Sequence, residues 1–114
     1  MKIFYLHWNE EELKQRIQPL IKKGYDVSFH FSQHETAKFD ELPDIFILSL
    51  DRLPSHSRAY AEWIVEAKKR QHIPIIFVGG KPGKVVQTKA KFPQAIYCNS
   101  NELIDTIAGL SKKM

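Results

Sequence analysis

Four polar side chains crowd one short run of this sequence, where Ser55, His56, Ser57 and Arg58 follow Leu50-Asp51-Arg52-Leu53-Pro54. The apolar segment Ile45-Phe46-Ile47-Leu48 comes just before and a helix-forming stretch follows, so the run falls at a strand-to-helix turn. Two chemistries suit residues of these types at this spacing. In the first, Ser55 or Ser57 caps the helix while free backbone amides, His56 and Arg58 face an anion such as phosphate or carboxylate. Gly79 and Gly80 end another apolar segment and would let a ligand approach the backbone closely, with Lys81 and Lys84 adding charge. In the second, Ser55 or Ser57 is a nucleophile and His56 its base. Adjacent residues at a helix start point apart, however, and no third group orients the histidine, which disfavours hydrolase chemistry. A purely local reading makes Ser55 an N-cap, lets Pro54 set the turn and pairs Arg58 with a carboxylate such as Asp51. Capping explains one serine and leaves His56, Ser57 and Arg58 unaccounted for. The candidate ligand-binding set is therefore Asp51, Arg52, Ser55, His56, Ser57, Arg58, Gly79, Gly80 and Lys81.

Other chemistry-bearing residues carry less. His30 and His34 straddle a strand end, so helical i, i+4 metal geometry is not available to them and no metal site is expected. Gly79-Gly80-Lys81-Pro82-Gly83-Lys84 lacks the glycine at Val78 and the hydroxyl at Val85 that a Walker phosphate loop requires. Cys98, the one cysteine, reads as a small buried hydrophobe rather than a nucleophile, and no cofactor is implied. Trp8, Trp63 and Tyr97 are read as packing residues beside a sheet, with stacking on a ligand or partner left open.

The elements that must position these residues alternate. Lys2 to His7 is a buried strand. Asn9 caps a helix whose first turn holds Glu10, Glu11 and Glu12, in the manner of a capping box, with Leu13, Ile17, Leu20 and Ile21 as its core stripe, a kink expected at Pro19 and a stop at Lys22-Lys23-Gly24. Tyr25 to Phe31 alternates as an edge strand, and Ser32 to Leu42 supports a helical turn or two at most. Asp44 to Leu50 is the central strand, Ser57 to Gln71 the helix after the polar run, and Ile73 to Val78 the fourth strand. Lys84 to Phe92 forms a short basic helix, Ala95 to Cys98 a fifth strand, and Asn101 to Leu110 a final helix capped by Ser100. This is an α/β pattern, a single three-layer α/β/α domain over residues 1–114 with a five-stranded parallel sheet and right-handed crossovers. In such sheets ligands bind outside the carboxyl ends of the strands, where the polar run lies.

Composition bounds the function. The 114 residues are 43% apolar with a formal charge of +4, and Lys and Arg are spread along the chain rather than collected in one block, so nucleic acid is not indicated. No apolar run approaches the length of about 20 residues that spans a bilayer, and no cleavable leader is visible. A cytoplasmic location is the expectation.

Five strands alternating with helices, Asp51…Pro54 after the third strand and Ile73-Pro74-Ile75-Ile76-Phe77-Val78 as the fourth, resemble the receiver domain of bacterial response regulators over nearly the whole chain. The resemblance implies the flavodoxin-like strand order 2-1-3-4-5. Receiver chemistry needs an acidic pair for Mg²⁺, a phosphoacceptor aspartate, a hydroxyl and a lysine at four strand ends. Here those positions fall on His7 and Trp8, on Leu50, on Gly79 and near Ser100, with Asp51 one residue past the acceptor position. Phosphoryl transfer rests almost wholly on such electrostatic positioning, so receiver-type phosphorylation is not expected. The wording Arg52-Leu53-Pro54-Ser55-His56-Ser57-Arg58 with Phe77-Val78-Gly79-Gly80 also looks like that of a group of small uncharacterised bacterial proteins. The implied role is a stand-alone pseudo-receiver, a signalling or protein-interaction module that senses a small anionic ligand at the sheet edge, with a protein partner or a second copy as its contact. A homodimer through the face from Lys84 to Leu110 follows from the resemblance. The alternative is a small enzyme or metabolite-binding protein with His56 as acid/base and Arg58 as anion clamp.

Overall fold

In the computed structural model, which describes residues 1–113, β1 (Lys2–Leu6), β2 (Asp26–His30), β3 (Ile45–Ser49), β4 (Ile75–Val78) and β5 (Ile96–Cys98) form one parallel sheet in the order β2-β1-β3-β4-β5. The parallel direction expected from the alternation and the order implied by the resemblance are the ones observed. Strands β1, β3 and β4 are buried almost throughout, because helices cover both faces and an uninterrupted apolar run is what such strands require. Side chains alternate between two cores. Ile3, Tyr5, Ile45, Ile47, Ile76 and Val78 pack under α1 (Glu10–Lys22) and α4 (Leu103–Lys113). Phe4, Leu6, Phe46, Leu48, Leu50 and Phe77 pack under α2 (Pro54–Val65) and α3 (Pro82–Lys91). No described helix is long and apolar enough to cross a membrane.

Element ends differ from the sequence reading for local reasons. Asn9 caps α1 by accepting from the Glu12 amide at 3.0 Å, but the Glu12 carboxylate turns away from the cap to other partners. The helix runs through Pro19, and Ile21 is 46% exposed rather than in the core stripe. Helix α4 and the 3-10 turn before it are capped by Asn99 with Glu102 in a reciprocal capping box, one residue before the expected Ser100. The segment from Phe31 to Asp44 forms no helix: Ala37, Phe39 and Leu42 are tucked onto the sheet instead, and the Ala37 amide donates to the Tyr60 hydroxyl at 3.0 Å. With so few apolar residues per turn, that stretch gains more from inserting Phe39 against Phe4, at 4.8 Å between ring centroids, than from forming a helix.

Helix α2 begins at Pro54, three residues earlier than expected, and Ser55 is not its cap. The residue before a proline is pushed out of the right-handed helical region, and Leu53 instead adopts φ 44, ψ 55. A left-handed non-glycine residue costs about 1–2 kcal/mol. It is held there because its carbonyl accepts from the His56 and Ser57 amides at 2.9 and 3.3 Å. The helix stops at Val65, six residues early, where Arg70 folds back: its Nε and Nη2 donate to the Trp63 carbonyl at 2.9 and 2.7 Å, and its guanidinium lies 3.9 Å from the centroid of the Trp63 ring. This one side chain closes the helix end and covers an indole. Arg70→Ala should lower the unfolding free energy by about 1–3 kcal/mol, the range for removing hydrogen bonds donated by a charged group. Urea denaturation measures this, and a change too small to resolve would mean that the turn holds without Arg70.

Candidate functional site

The register Leu6↔Leu48 between β1 and β3 brings the next residues, His7 and Ser49, side by side at the carboxyl edge of the sheet. Both are fully buried. His7 Nδ1 lies 2.8 Å from Ser49 Oγ, and His7 Nε2 lies 2.7 Å from Glu12 Oε1. Glu12 in turn receives Arg52 Nε at 3.0 Å and Nη2 at 2.5 Å. The Arg52 and His7 hydrogen bonds hold the Glu12 carboxyl down at about 2. That carboxylate is therefore an acceptor only, so Nε2 carries the imidazole proton and Nδ1 accepts from the Ser49 hydroxyl. Burial pushes the His7 pKa below its ordinary value against the opposing pull of Glu12, which keeps the ring neutral. The order Ser–His–Glu has the connectivity of a nucleophile, its base and an orienting acid. With Ser49 and His7 both sealed from solvent, no substrate reaches the hydroxyl, and the relay ties the sheet edge to α1.

Beside it, Asp51 sits in a second fixed arrangement. Its Oδ2 accepts from Arg16 Nη2 at 2.7 Å and its Oδ1 from the Gly80 amide at 2.8 Å, while its own amide donates to Ser49 Oγ at 3.2 Å. Burial works to raise the Asp51 pKa, but the Gly80 amide and the Arg16 guanidinium outweigh it and leave the carboxyl below its usual range. Arg16 reaches this corner from α1 beside the buried Tyr5 hydroxyl; burial raises the Tyr5 pKa and the Arg16 charge works against that rise. The glycines serve this packing. A Cβ on Gly79, at φ +73, would lie 2.3 Å from Asp51 Oδ1, and one on Gly80, at φ +95, would lie 2.7 Å from Leu50 Cβ.

The run that stood together in the sequence is divided by the fold. Asp51 joins Gly79, Gly80 and Arg16, and Arg52 joins Glu12. Ser57 points inward, donating to the Ser49 carbonyl at 2.5 Å and accepting from Trp8 Nε1 at 3.0 Å, which accounts for a serine that capping did not explain. His56 turns to the opposite flank of α2, where its ring meets Trp8 edge-on at 5.4 Å between centroids. Ser55 and Lys81 are exposed, and Lys81 precedes α3 without capping it through its side chain. Arg58 does not pair with Asp51; its Nη1 is buried without a hydrogen-bond partner. His7, Glu12, Arg16 and Ser49 escaped the sequence reading. The signal for the first and last was present, because strand order 2-1-3 makes residues that end β1 and β3 neighbours.

The architecture is that of receivers. No family model matches the chain, and no curated protein sequence matches it. Among solved structures it is similar to the bacteriophytochrome response regulator AtBRR, with a TM-score of 0.74 and 12% identity over 96% of this chain and 91% of that one. A second bacteriophytochrome response regulator, RtBRR, gives a TM-score of 0.71 and 12% identity over 94% and 75% of the two chains. A structure described as an adenylate cyclase from Rhodopirellula baltica gives 0.61 and 13% identity over 99% and 98%. At such identities the likeness is one of fold.

The Mg²⁺ that receiver chemistry calls for does not fit these residues. His7 and Trp8 stand where carboxylates are needed, and Glu12 and Asp51 are each already bonded to a guanidinium. Among the described residues no group of three or more His, Cys, Asp and Glu is placed to hold a metal.

The relay also has a pH dependence. Glu12 binds its proton less readily folded than unfolded, as does His7, so at acid pH the unfolded chain takes up more protons and stability falls with pH. The His7 contribution is present above its ordinary value of 6.5 and is lost below it; the Glu12 contribution is present above 4.5 and is lost toward about 2. Urea midpoints measured across this range should fall as pH drops, with a shallower decline below 4.5 in Glu12→Gln. Identical profiles for the two proteins would show that the Glu12 contacts do not persist in solution.

Proposed function

We propose that this chain is a pseudo-receiver: a signalling domain that works through protein contacts without phosphotransfer. The receiver fold supports the signalling half of the reading. The observation that carries the other half is the double anchoring of Asp51, whose two carboxylate oxygens are taken by Arg16 and the Gly80 amide. An acceptor aspartate must present a free oxygen to an electrophilic phosphorus with a cation neutralising the charge that develops. Here the cation beside the carboxylate is the guanidinium of Arg16, which already occupies Oδ2. The position of the receiver hydroxyl is Gly79, pressed against the Asp51 carboxylate. Incubation with acetyl phosphate and Mg²⁺ should leave the intact mass unchanged for both the wild type and Asp51→Asn. Stoichiometric phosphate on the wild type that is absent from Asp51→Asn would overturn the reading.

A second reading, an edge that responds to a small anion, draws on Arg58 Nη1, a buried donor lacking a partner. A buried donor left unpaired costs about 1–3 kcal/mol, so a swing of the half-buried Arg58 side chain that brings this nitrogen to an anion at the surface would be favoured. In this reading inorganic phosphate at millimolar concentration raises the melting temperature of the wild type, and the increment disappears in Arg58→Ala. Equal increments in the two proteins would assign the effect to ionic strength.

A further inference from the structure

The outer flank of α2 carries His56, Ala59, Tyr60 and Trp63 at i, i+3, i+4 and i+7, so all four fall on one side of the helix. That side faces a cavity of about 380 Å³, closed by Trp8 at the end of β1 and by Phe39 on the segment between β2 and β3. Its lining comes from Trp8 after β1, from the segment after β2 and from α2 after β3, so it lies on the α2 side of the sheet toward the carboxyl ends of those strands. Its size falls within the range of about 300–1,000 Å³ typical of small-molecule sites.

Its rings are held in place by the protein itself. Phe39 stacks on Trp63 at 5.6 Å with 19° between planes, and Arg70 covers Trp63 as well. Trp8 Nε1 is committed to Ser57, and the Tyr60 hydroxyl accepts from the Ala37 amide. With Trp8 Nε1 bonded and the faces of Trp63 covered, the walls offer an incoming molecule chiefly the ring of Trp8, aromatic edges and the Tyr60 O–H, which accepts from Ala37 and has its own proton left to donate.

Charge selects among ligands that stack. The lining contains no lysine or arginine, and Glu35 is its one carboxylate residue. An anion entering would lose hydration without a counter-charge in the lining, whereas a cation finds the acidic residue Glu35 there and the ring of Trp8, which unlike Trp63 carries no guanidinium. We propose that this cavity binds a planar nitrogen heteroaromatic of about two fused rings that carries a protonated amino or amidine group. The site is separate from the Asp51 corner, from the relay and from Arg58, and it stands whether or not the pseudo-receiver reading does.

The two tryptophans of the chain both line the cavity, so both indole N–H signals in a ¹⁵N-correlated NMR spectrum report on it. Titration with 2-aminobenzimidazole should move both signals saturably, while indole-2-carboxylate, of similar size and opposite charge, should leave them in place. Glu35→Gln should weaken the cation by about two- to fivefold, the worth of a solvent-touching charge pair. Ala59→Phe, a substitution at an exposed position, should fill the space and abolish the shifts while the remaining amide spectrum stays folded. Indole signals unmoved by millimolar 2-aminobenzimidazole, a carboxylate that binds as tightly as the cation, or undiminished binding to Ala59→Phe would each overturn the proposal.

Discussion

A neutral imidazole buried between two strand ends governs the carboxyl edge of this sheet. His7 can sit fully inside because each ring nitrogen has a partner, Ser49 on one side and Glu12 on the other, and a buried polar group left unpaired would cost more than its apolar contacts return. Its position sets the rest in sequence. Ser49, held by His7, accepts the Asp51 amide, which starts the turn; the Ser49 carbonyl accepts Ser57, which seats α2; Ser57 accepts Trp8, which orients an indole at the mouth of the aromatic cavity. Glu12, oriented by His7, anchors Arg52 on the far side of the same turn. The connections leaving β1 and β3 and the first turn of α1 are thereby tied to one ring.

The same edge shows how carboxylates crowded at strand ends are neutralised from within the chain. Concentrated carboxylates need a compensating cation. At this edge Arg16 and Arg52 supply that charge from the chain itself. A guanidinium on a helix is a permanent part of the structure, always charged and forked to match a carboxylate. It stabilises the arrangement while removing the exchangeable ligand positions that make a metal site reactive. Gly79 follows the same logic: with no side chain it admits the Asp51 carboxylate to the Gly80 amide, where a hydroxyl-bearing side chain would stand in the way.

On the opposite side of α2 the missing helix between β2 and β3 leaves a different kind of surface. An extended segment covers a sheet face less completely than a helix. Phe39 fills the part nearest Phe4 and Phe46, and the part nearest the sheet edge stays open between Trp8 and Trp63. The cavity is thus a consequence of a stretch too polar for an amphipathic helix, and its aromatic character comes from the α2 flank that such a helix would have covered.

Period and punctuation determined the alternation of strands and helices from the sequence alone, while the order 2-1-3-4-5 came only with the resemblance to receivers. Continuous apolar runs in Ile45 to Leu48 and Ile75 to Val78 can only be strands buried on both faces, the 3.6-residue stripes of α1 and α4 require a sheet to pack on, and their alternation leaves a parallel order with few alternatives. That the polar run falls at the carboxyl edge of the sheet was legible for the same reason. What the polar residues do at that edge was decided only by tertiary structure. Ser55, His56, Ser57 and Arg58 are consecutive, yet successive helical residues are turned by about 100°, so they face solvent, an aromatic cavity, the sheet interior and a buried position without a partner in turn. Conversely, His7, Glu12, Arg16, Ser49 and Asp51 are scattered through the first half of the chain and become one network only when β1 and β3 lie in register. Hydrogen bonds act over about 3 Å of space and carry no trace of the distance along the chain that they close.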